Sequence, residues 1–370
     1  MRTLYLILFV FTCSIALAQE GTKEKTKASS VDVNYFYGNI ANHNPDILHL
    51  ITGHPEGIIV SWNQKTFGNE AWEARYNYPD VGYSFIYQDL KNEYLGDNLG
   101  LYAHYNFYFL KRNLVFRIGQ GLAIASNPYD KQENFRNIAF GSKILSSTYV
   151  MLNYQKENLF NSRFGIQTGL SLVHYSNANV KAPNTSVNTI AFNFGVNYNL
   201  DDVSEIAYKP LEESGEKFTQ PIKYNIVFRS GVNESDVVGT GQFPFYVFSG
   251  YADKRLSHKS ALQLGTDVFL SQFLKEDIKY NAAAFPDRDI DPDSDYKRIG
   301  VFVGHELFIN KMSLVTQIGY YAYLPYEFES SVYQRIGLKR YFGEKWFGAL
   351  TLKTHAAKAE ALEFGVGIRL

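Results

Sequence analysis

Alternation of apolar and polar residues recurs from residue 31 to the end of this chain and restricts its fold more than any other feature. In one clear stretch, Leu99, Leu101 and Tyr105 hold one parity, while Gly100 and His104 hold the other. Successive side chains of a β-strand point to opposite faces, so each such stretch predicts a strand with one apolar and one polar face. The chain is therefore predicted to be all-β.

Composition helps to decide which kind of β-protein this is. After the amino terminus, no segment approaches the ~20 consecutive apolar residues that a membrane helix requires. The 370 residues include 28 Tyr, 28 Phe and 28 Gly, which suits a membrane barrel with aromatic girdles, an apolar exterior and a small or polar interior. An antiparallel transmembrane β-barrel of the bacterial outer membrane is predicted. The net charge of -1 gives no electrostatic footprint for nucleic acid.

The alternation predicts sixteen strands, at 31–40, 56–65, 80–89, 98–109, 113–124, 143–155, 162–176, 187–199, 223–232, 243–252, 259–270, 297–308, 312–323, 331–341, 346–354 and 361–370. If the chain starts in the periplasm, odd-to-even connections are extracellular and long, and even-to-odd connections are short turns. Most connections obey this rule, but 66–79 and 200–222 are long. The second is a seam between two halves, an insertion or a missed strand pair, so an even total of 12 or 14 strands stays open.

The amino terminus has the three-part form of a secretory signal, with an apolar run from Leu4 to Phe11 and the small residues Ala16 and Ala18 before the predicted cleavage site. Cys13, the one cysteine of the chain, lies inside it. We therefore predict a signal peptide at 1–18, a flexible segment at 19–30 and the barrel at 31–370. Within the barrel, 31–200 form a first half with the site described below, and 221–370 supply additional strands.

Two chemically reactive side chains lie at the end of the predicted strand 162–176. His174 and Ser176 continue the apolar parity of Leu170 and Leu172, so they are expected to face the membrane at the extracellular end of the strand. Their backbones would be about 6.6 Å apart at a rise of ~3.3 Å per residue, a gap that an imidazole can span. A histidine beside a serine can act as the general base that activates the hydroxyl for attack on an acyl carbonyl.

The position of this pair predicts its substrate. A lipid-facing site at the outer-leaflet boundary would meet an ester bond near a lipid headgroup, which in a Gram-negative outer leaflet means lipopolysaccharide. Asn177, Asn184 and the backbone N–H groups of 177–184 are candidates to bind the oxyanion, and Lys181 is a candidate to contact a lipid phosphate. The alternative is a structural strand with an incidental His and Ser.

The segment His174-Tyr175-Ser176-Asn177-Ala178, with Lys181, Pro183 and Asn184 after it, resembles the active-site segment of the outer-membrane lipid A 3-O-deacylase (PagL) or acyloxyacyl hydrolase family. The resemblance implies an antiparallel barrel that hydrolyses an ester-linked acyl chain of lipid A without a cofactor. It also implies that His174 is the general base and Ser176 the nucleophile, with Asn177 and Asn184 near the oxyanion. The residues after 200 resemble the extended form found in Bacteroidetes-type bacteria.

The third catalytic position departs from that family. Compact members have a glutamate where this chain has Asn188. An asparagine can accept a hydrogen bond from the imidazole and fix its tautomer, but it cannot supply a charge. Asn188 is therefore predicted as the third member. Glu234 or Asp236 would replace it only if the preceding strand lay next to 187–199.

Other polar clusters are predicted to be structural. His43, His49 and His54 lie in one extracellular loop, and a metal site there is less favoured than a polar loop with incidental histidines. The acidic run 287–295 lacks the Gly and terminal Glu of an EF-hand and is expected to be a solvated loop. No metal or other cofactor is predicted.

The predicted partners are the outer membrane, lipopolysaccharide and the barrel-assembly machinery, whose signal the alternating terminus up to Leu370 resembles. The rival function is a noncatalytic channel or structural barrel. A wide lumen with unpaired charges would favour that rival, whereas a salt-bridged, plugged interior is expected from the charges at inward parity: Glu306, Arg335, Lys339, Glu363 and Arg369.

Overall fold

The computed structural model describes residues 28–202, 206–211, 218–356 and 358–370. The predicted signal peptide at 1–18 lies outside the described residues, as does the predicted flexible segment up to residue 27. Residues 28–30, which were also assigned to that segment, belong to the first strand, which begins at Ala28.

Eight antiparallel strands form a first closed barrel in chain order. They are β1 (Ala28–Ile40), β2 (Glu56–Lys65), β3 (Asp80–Asp89), β4 (Asp97–Phe109), β5 (Leu114–Ala125), β6 (Ile144–Lys156), β7 (Phe164–Ser176) and β8 (Val187–Asn199). The sheet closes because β8 pairs with β1, with Tyr198 opposite Val31.

A second closed barrel contains the other eight strands. They are β9 (Lys223–Asn233), β10 (Phe243–Arg255), β11 (Ser260–Ser271), β12 (Lys297–Ile309), β13 (Met312–Tyr323), β14 (Val332–Phe342), β15 (Trp346–His355) and β16 (Lys358–Arg369). Here β16 pairs with β9, with Ile368 opposite Ile226.

The all-β antiparallel class and the count of sixteen strands are confirmed. The strands do not share one sheet, however, because the closures β8–β1 and β16–β9 make two barrels of eight. The long connection 200–222 joins β8 of the first barrel to β9 of the second, which agrees with a seam between two halves.

Helices in the described residues occupy connections between strands. They are α1 (Ala71–Arg75), α2 (Phe273–Ala284) and the 3-10 segments Pro45–Leu50, Leu159–Asn161 and Pro286–Arg288. No helix in this part of the chain is both long and apolar enough to cross a membrane.

Strand β2 shows how the alternation builds the wall of the first barrel. Ile58, Val60 and Trp62 point outward and are exposed, while Ile59 and Ser61 point inward and are buried. The same pattern on the other strands covers the exterior with large apolar side chains. An apolar exterior around a partly polar interior is the arrangement of a membrane barrel.

Side chains fill the interior of the first barrel. The end at which the odd-numbered strands finish, called here the site end, contains an apolar cluster that includes Phe36, Tyr102 and Tyr149. Toward the other end, the Arg117 guanidinium lies 2.6 Å from the Asp32 carboxylate. A small cavity of about 10 Å³ lies next to this ion pair. An eight-stranded barrel is just wide enough for side chains to fill it, and this one contains no channel within its described residues.

Buried ion pairs fill the second barrel, as the inward charges predicted. Arg335 donates to Glu363 at 2.6 Å and to Asp267 at 2.9 Å, and Lys339 lies 3.2 Å from Glu306. Arg369 pairs with Asp253 at 2.5 Å, at the end of the barrel opposite the site end. These contacts confirm the salt-bridged interior.

Replacing Arg335 is expected to destabilise the second barrel. Arg335→Met leaves the buried carboxylates of Asp267 and Glu363 without their closest cation, which typically costs about 3–5 kcal/mol. The measurement is the urea midpoint for loss of the folded, heat-modifiable gel band. Lys279→Met, which breaks an exposed pair with Glu276, is the control and should cost at most about 1 kcal/mol. Equal midpoints for the two variants would contradict the assignment of a stabilising ion-pair core.

Candidate active site

His174 and Ser176 lie on the outward face of β7 at the site end. The neighbouring outward residues Leu170 and Leu172 are 59% and 38% exposed, whereas the inward residues Val173 and Tyr175 are fully buried. This alternation continues through His174, which is partly buried, while Ser176 is covered by the loop that follows it. The predicted parity of the pair is therefore confirmed.

Asn188 meets the His174 ring from the adjacent strand. The two residues are opposite each other in the β7–β8 register, and Asn188 Oδ1 lies 2.7 Å from His174 Nδ1. Because an amide oxygen can only accept, the proton of a neutral imidazole must be on Nδ1. The His174 Nε2 atom is then left with its lone pair, and it has no hydrogen-bond partner among the described residues.

The Ser176 hydroxyl is held by the loop that follows it. Ser176 Oγ donates to Asn184 Oδ1 at 3.0 Å and accepts from the Ala178 N–H at 2.9 Å. The described residues contain no hydrogen bond between Ser176 and His174. Both residues lie on the same face of β7, two positions apart, which corresponds to about 6.6 Å between their backbones at ~3.3 Å per residue.

Residues 177–186 form a tight loop whose shape depends on asparagine amides. Asn177 Nδ2 donates to the Lys181 carbonyl at 2.6 Å, and the Asn177 N–H donates to Asn184 Oδ1 at 2.9 Å. Ala178 and Asn179 have φ angles of 55° and 61°, a left-handed conformation that is costly for a residue with a Cβ. The Asn177 side chain therefore closes the loop by its bond to the Lys181 carbonyl. The Asn184 side chain is the amide that contacts the Ser176 hydroxyl. The Lys181 side chain is exposed.

The structure adds polar residues that the sequence reasoning missed. Thr148 of β6 lies opposite His174, and Ser146 lies opposite Ser176. Gln120 of β5 accepts from Thr148 Oγ1 at 2.5 Å and donates to Ser146 Oγ at 3.2 Å. All three point outward beside the site, which creates a polar patch on an otherwise apolar wall. Polar residues at outward parity near strand ends were the sequence signal that would have found them.

Other loops of the first barrel support the loop formed by residues 177–186. The Gly141 N–H donates to the Pro183 carbonyl at 2.7 Å, and a Cβ on Gly141 would lie 2.5 Å from the Lys181 carbonyl oxygen. A glycine is thus required for this close approach. His43 Nε2 lies 3.0 Å from the Thr185 carbonyl oxygen, which brings one histidine of the β1–β2 loop next to the site.

The three loop histidines do not converge. His49 lies between the Asp46 and Arg136 carbonyls, and His54 lies 2.7 Å from Asn39 Oδ1. Among the residues that the structure describes, no group of three or more His, Cys, Asp or Glu side chains is placed to hold a metal ion.

The condition set for Glu234 or Asp236 to replace Asn188 is not met. The strand before Glu234, β9, pairs with β10 and β16 rather than with β8. Glu234 accepts from the Ala182 N–H at 3.0 Å and does not contact His174. Asp236 instead pairs with Lys358.

Comparison with known families identifies the class of this barrel. It carries a His-Asn pair and a serine on an outward face that is otherwise apolar. Residues 56–197 match the family model described as lipid A 3-O-deacylase (PagL), and residues 222–370 match that of the acyloxyacyl hydrolase C-terminal domain. The chain belongs to this family. Family and fold together point to a bacterial outer-membrane protein.

Comparisons with individual proteins add little. No curated protein matches the chain. Among solved structures, a double mutant of the Rh. blastica porin is 8% identical, with 93% of this chain and 100% of the porin covered at a TM-score of 0.18. A triple mutant of the Rhodopseudomonas blastica porin is 7% identical, with the same coverage and TM-score. A likeness this low carries no conclusion about fold or activity.

Proposed function

We propose that this chain is an outer-membrane serine esterase that removes an ester-linked acyl chain from lipid A. The observation that carries the proposal is the His174–Asn188 hydrogen bond at 2.7 Å, two residues from Ser176 on the outward face. Family membership supports lipid A as the substrate. The exposed apolar wall below the site supports a substrate that arrives within the membrane.

In the proposed reaction, Ser176 Oγ attacks the ester carbonyl while His174 Nε2 takes its proton. The tetrahedral intermediate collapses, the bond between the carbonyl carbon and the sugar oxygen breaks, and His174 returns the proton to that oxygen. Water then hydrolyses the acyl-Ser176 ester by the same route and releases the fatty acid. Asn188 keeps the ring in the tautomer that exposes the Nε2 lone pair.

Two groups are proposed as hydrogen-bond donors to the oxyanion. Asn184 Nδ2 belongs to the amide that already touches Ser176, and it has no hydrogen-bond partner in the described part of the chain. The Ala178 N–H already points at Ser176 Oγ. Donors fixed before the reaction stabilise developing charge without reorganisation. Asn177 contributes through the shape of the loop, since its Nδ2 is occupied by the Lys181 carbonyl.

The walls around the site suit a lipid with a charged headgroup. Leu170, Leu172 and Ile190 form an exposed apolar surface beneath the site on β7 and β8, along which an acyl chain can lie. Lys181 is exposed in the loop above it and is proposed to contact a lipid A phosphate. These features support a substrate whose ester bond lies between an apolar surface and a cation.

Mass spectrometry of lipid A tests the function. Cells that express the chain should show lipid A lighter by one acyl chain, together with the matching free fatty acid. Unchanged lipid A in cells that contain the folded protein would contradict the proposal. The rival channel predicts ion conductance in planar bilayers, and the filled interiors of both barrels give no support to it.

The proposed orientation makes a labelling prediction. Lys131 and Asp291 lie in exposed loops at the site end, and Asn310 lies in the exposed turn between β12 and β13 at the opposite end. Single cysteines at 131 and 291 should react with a membrane-impermeant maleimide on intact cells, while one at 310 should react only after lysis. The reverse pattern would put the active site on the periplasmic side, away from lipopolysaccharide.

A further inference from the structure

The second barrel contacts the loop of the first barrel that follows Ser176, residues 177–186, called here the active-site loop. Glu234 is the first residue after β9, and its side chain is almost completely buried. Its backbone N–H donates to the Asn179 carbonyl at 3.1 Å, and its carbonyl accepts from Asn179 Nδ2 at 3.1 Å. Its carboxylate Oε2 accepts from the Ala182 N–H at 3.0 Å. Three hydrogen bonds therefore join one residue of the second barrel to the loop that follows Ser176.

The loop of the second barrel is folded around the same carboxylate. Glu234 Oε1 accepts from the N–H groups of Gly239 and Gly241, both at 3.1 Å. Those glycines have φ angles of 88° and 97°, which residues with a Cβ rarely adopt. Gln242 adds a fourth link from this loop, from its Nε2 to the Val180 carbonyl at 2.7 Å. Hydrogen bonds to a carboxylate are stronger than those between neutral groups.

The active-site loop is held by both barrels. On one side, the loop rests on Gly141 of the first barrel, and on the other side Glu234 holds Asn179 and Ala182. Between these supports, the Lys181 carbonyl accepts a hydrogen bond from the Asn177 amide, and Asn184 Oδ1 accepts one from the Ser176 hydroxyl. A displacement of 179–182 would therefore move the proposed oxyanion donors relative to Ser176.

We propose that the second barrel positions the active-site loop through Glu234, which gives residues 222–370 a role in catalysis although they contain none of the reacting groups. Glu234 is a positioning residue that acts through the Ala182 and Asn179 backbones. The kinetic part of this proposal rests on the proposed deacylase function. The mechanical part, that Glu234 fixes the loop, is independent of the reaction.

Glu234→Gln is the most informative substitution. A glutamine has one acceptor oxygen and one NH₂ group, so it can keep the bonds to Gly239 and Gly241 only by turning its NH₂ group toward the Ala182 N–H. Two donors then face each other, and the bond from Ala182 to the Glu234 side chain is lost. The bonds between the Glu234 backbone and Asn179, the Gln242 link and the loop of the second barrel are retained. Asp236→Asn is the matched control, because it removes a charge from the same loop but pairs with Lys358 rather than with 177–184.

Two measurements on the full-length protein in detergent test the proposal. In Glu234→Gln, backbone hydrogen exchange of peptides that cover 177–184 should accelerate. The kcat for fatty-acid release should fall about 10- to 100-fold, as expected when reacting groups are misplaced by about 1 Å. KM should change by less than about 3-fold, because the lipid-binding wall is untouched. Asp236→Asn should match the parent in both measurements, and all variants should keep the heat-modifiable migration of folded barrels.

The outcomes separate this inference from the proposed function. Faster exchange with an unchanged kcat would show that Glu234 is only structural and would overturn the positioning role. Unchanged exchange would overturn the contact itself. If the parent protein releases no fatty acid, the deacylase function fails, and the exchange measurement still decides whether Glu234 holds the loop. Partial recovery of kcat in Glu234→Asp, which keeps a carboxylate, would support positioning.

Discussion

Ser176→Ala is expected to abolish fatty-acid release from purified lipopolysaccharide, with a loss of at least about 10⁴-fold in kcat. The alanine lacks the oxygen that must carry the acyl group, and no other hydroxyl among the described residues bonds to the Asn184 side chain. The fold should be unaffected, because Ser176 lies at the end of β7 and its hydroxyl bonds only to the following loop. The assay should compare equal amounts of folded barrel, judged by heat-modifiable migration.

Thr168→Ala provides the matched control for this variant. Thr168 is also an outward hydroxyl residue on β7, but it lies eight positions away, roughly 26 Å along the strand at ~3.3 Å per residue. Its loss should leave the rate of deacylation near that of the parent. Full activity in folded Ser176→Ala would rule out the serine mechanism, whereas equal losses in both variants would indicate damage to the barrel.

Asn188→Ala is expected to lower the rate by about 10- to 10⁴-fold, the upper bound being the cost of a wrong imidazole tautomer in serine hydrolases. Without the acceptor at 2.7 Å from Nδ1, the His174 ring can rotate and can carry its proton on Nε2, where it cannot act as a base. Asn188→Glu should keep or raise the rate, because a carboxylate holds the same proton and also stabilises the imidazolium that forms during attack.

Asn39→Ala is the control for that series. Asn39 Oδ1 also lies 2.7 Å from a histidine Nδ1, that of His54, but this pair has no serine beside it. Its removal should not change deacylation. If Asn188→Ala is fully active and Asn188→Glu is inert, Asn188 does not orient the base. Glu234 would not replace it, since its carboxylate is bound to the Ala182 backbone.

The strands could be located from sequence because their physical cause is local. Successive side chains of a strand point in turn to the apolar exterior and to the filled interior, so their polarity alternates. This period of two residues is visible in segments such as β4 and β5. The ends of the strands were predicted less accurately than their positions. Strand β1 begins at Ala28 rather than at residue 31, since its first residues are small and polar and carry no contrast between the two faces.

The candidate site residues could be proposed from sequence where they lie close together along the chain. His174 and Ser176 stand out because they interrupt an apolar parity, and Asn188 is close in sequence on the next strand. Thr148 and Ser146 were missed because their link to the site is the β6–β7 register, which no short motif reveals. The histidines of the β1–β2 loop likewise formed a cluster in sequence, but each contacts a different partner.

The sequence by itself determined the all-β class and indicated an even total of about sixteen strands and an outward position for His174 and Ser176, because these follow from a period of two residues. Only the tertiary structure decided that the strands close as two barrels of eight. Alternation is the same in a sheet of sixteen and in two sheets of eight, and the difference depends on which distant strands pair. The contact of Glu234 with Ala182 follows from that closure, because it forms only when a second barrel lies beside the loop of the first.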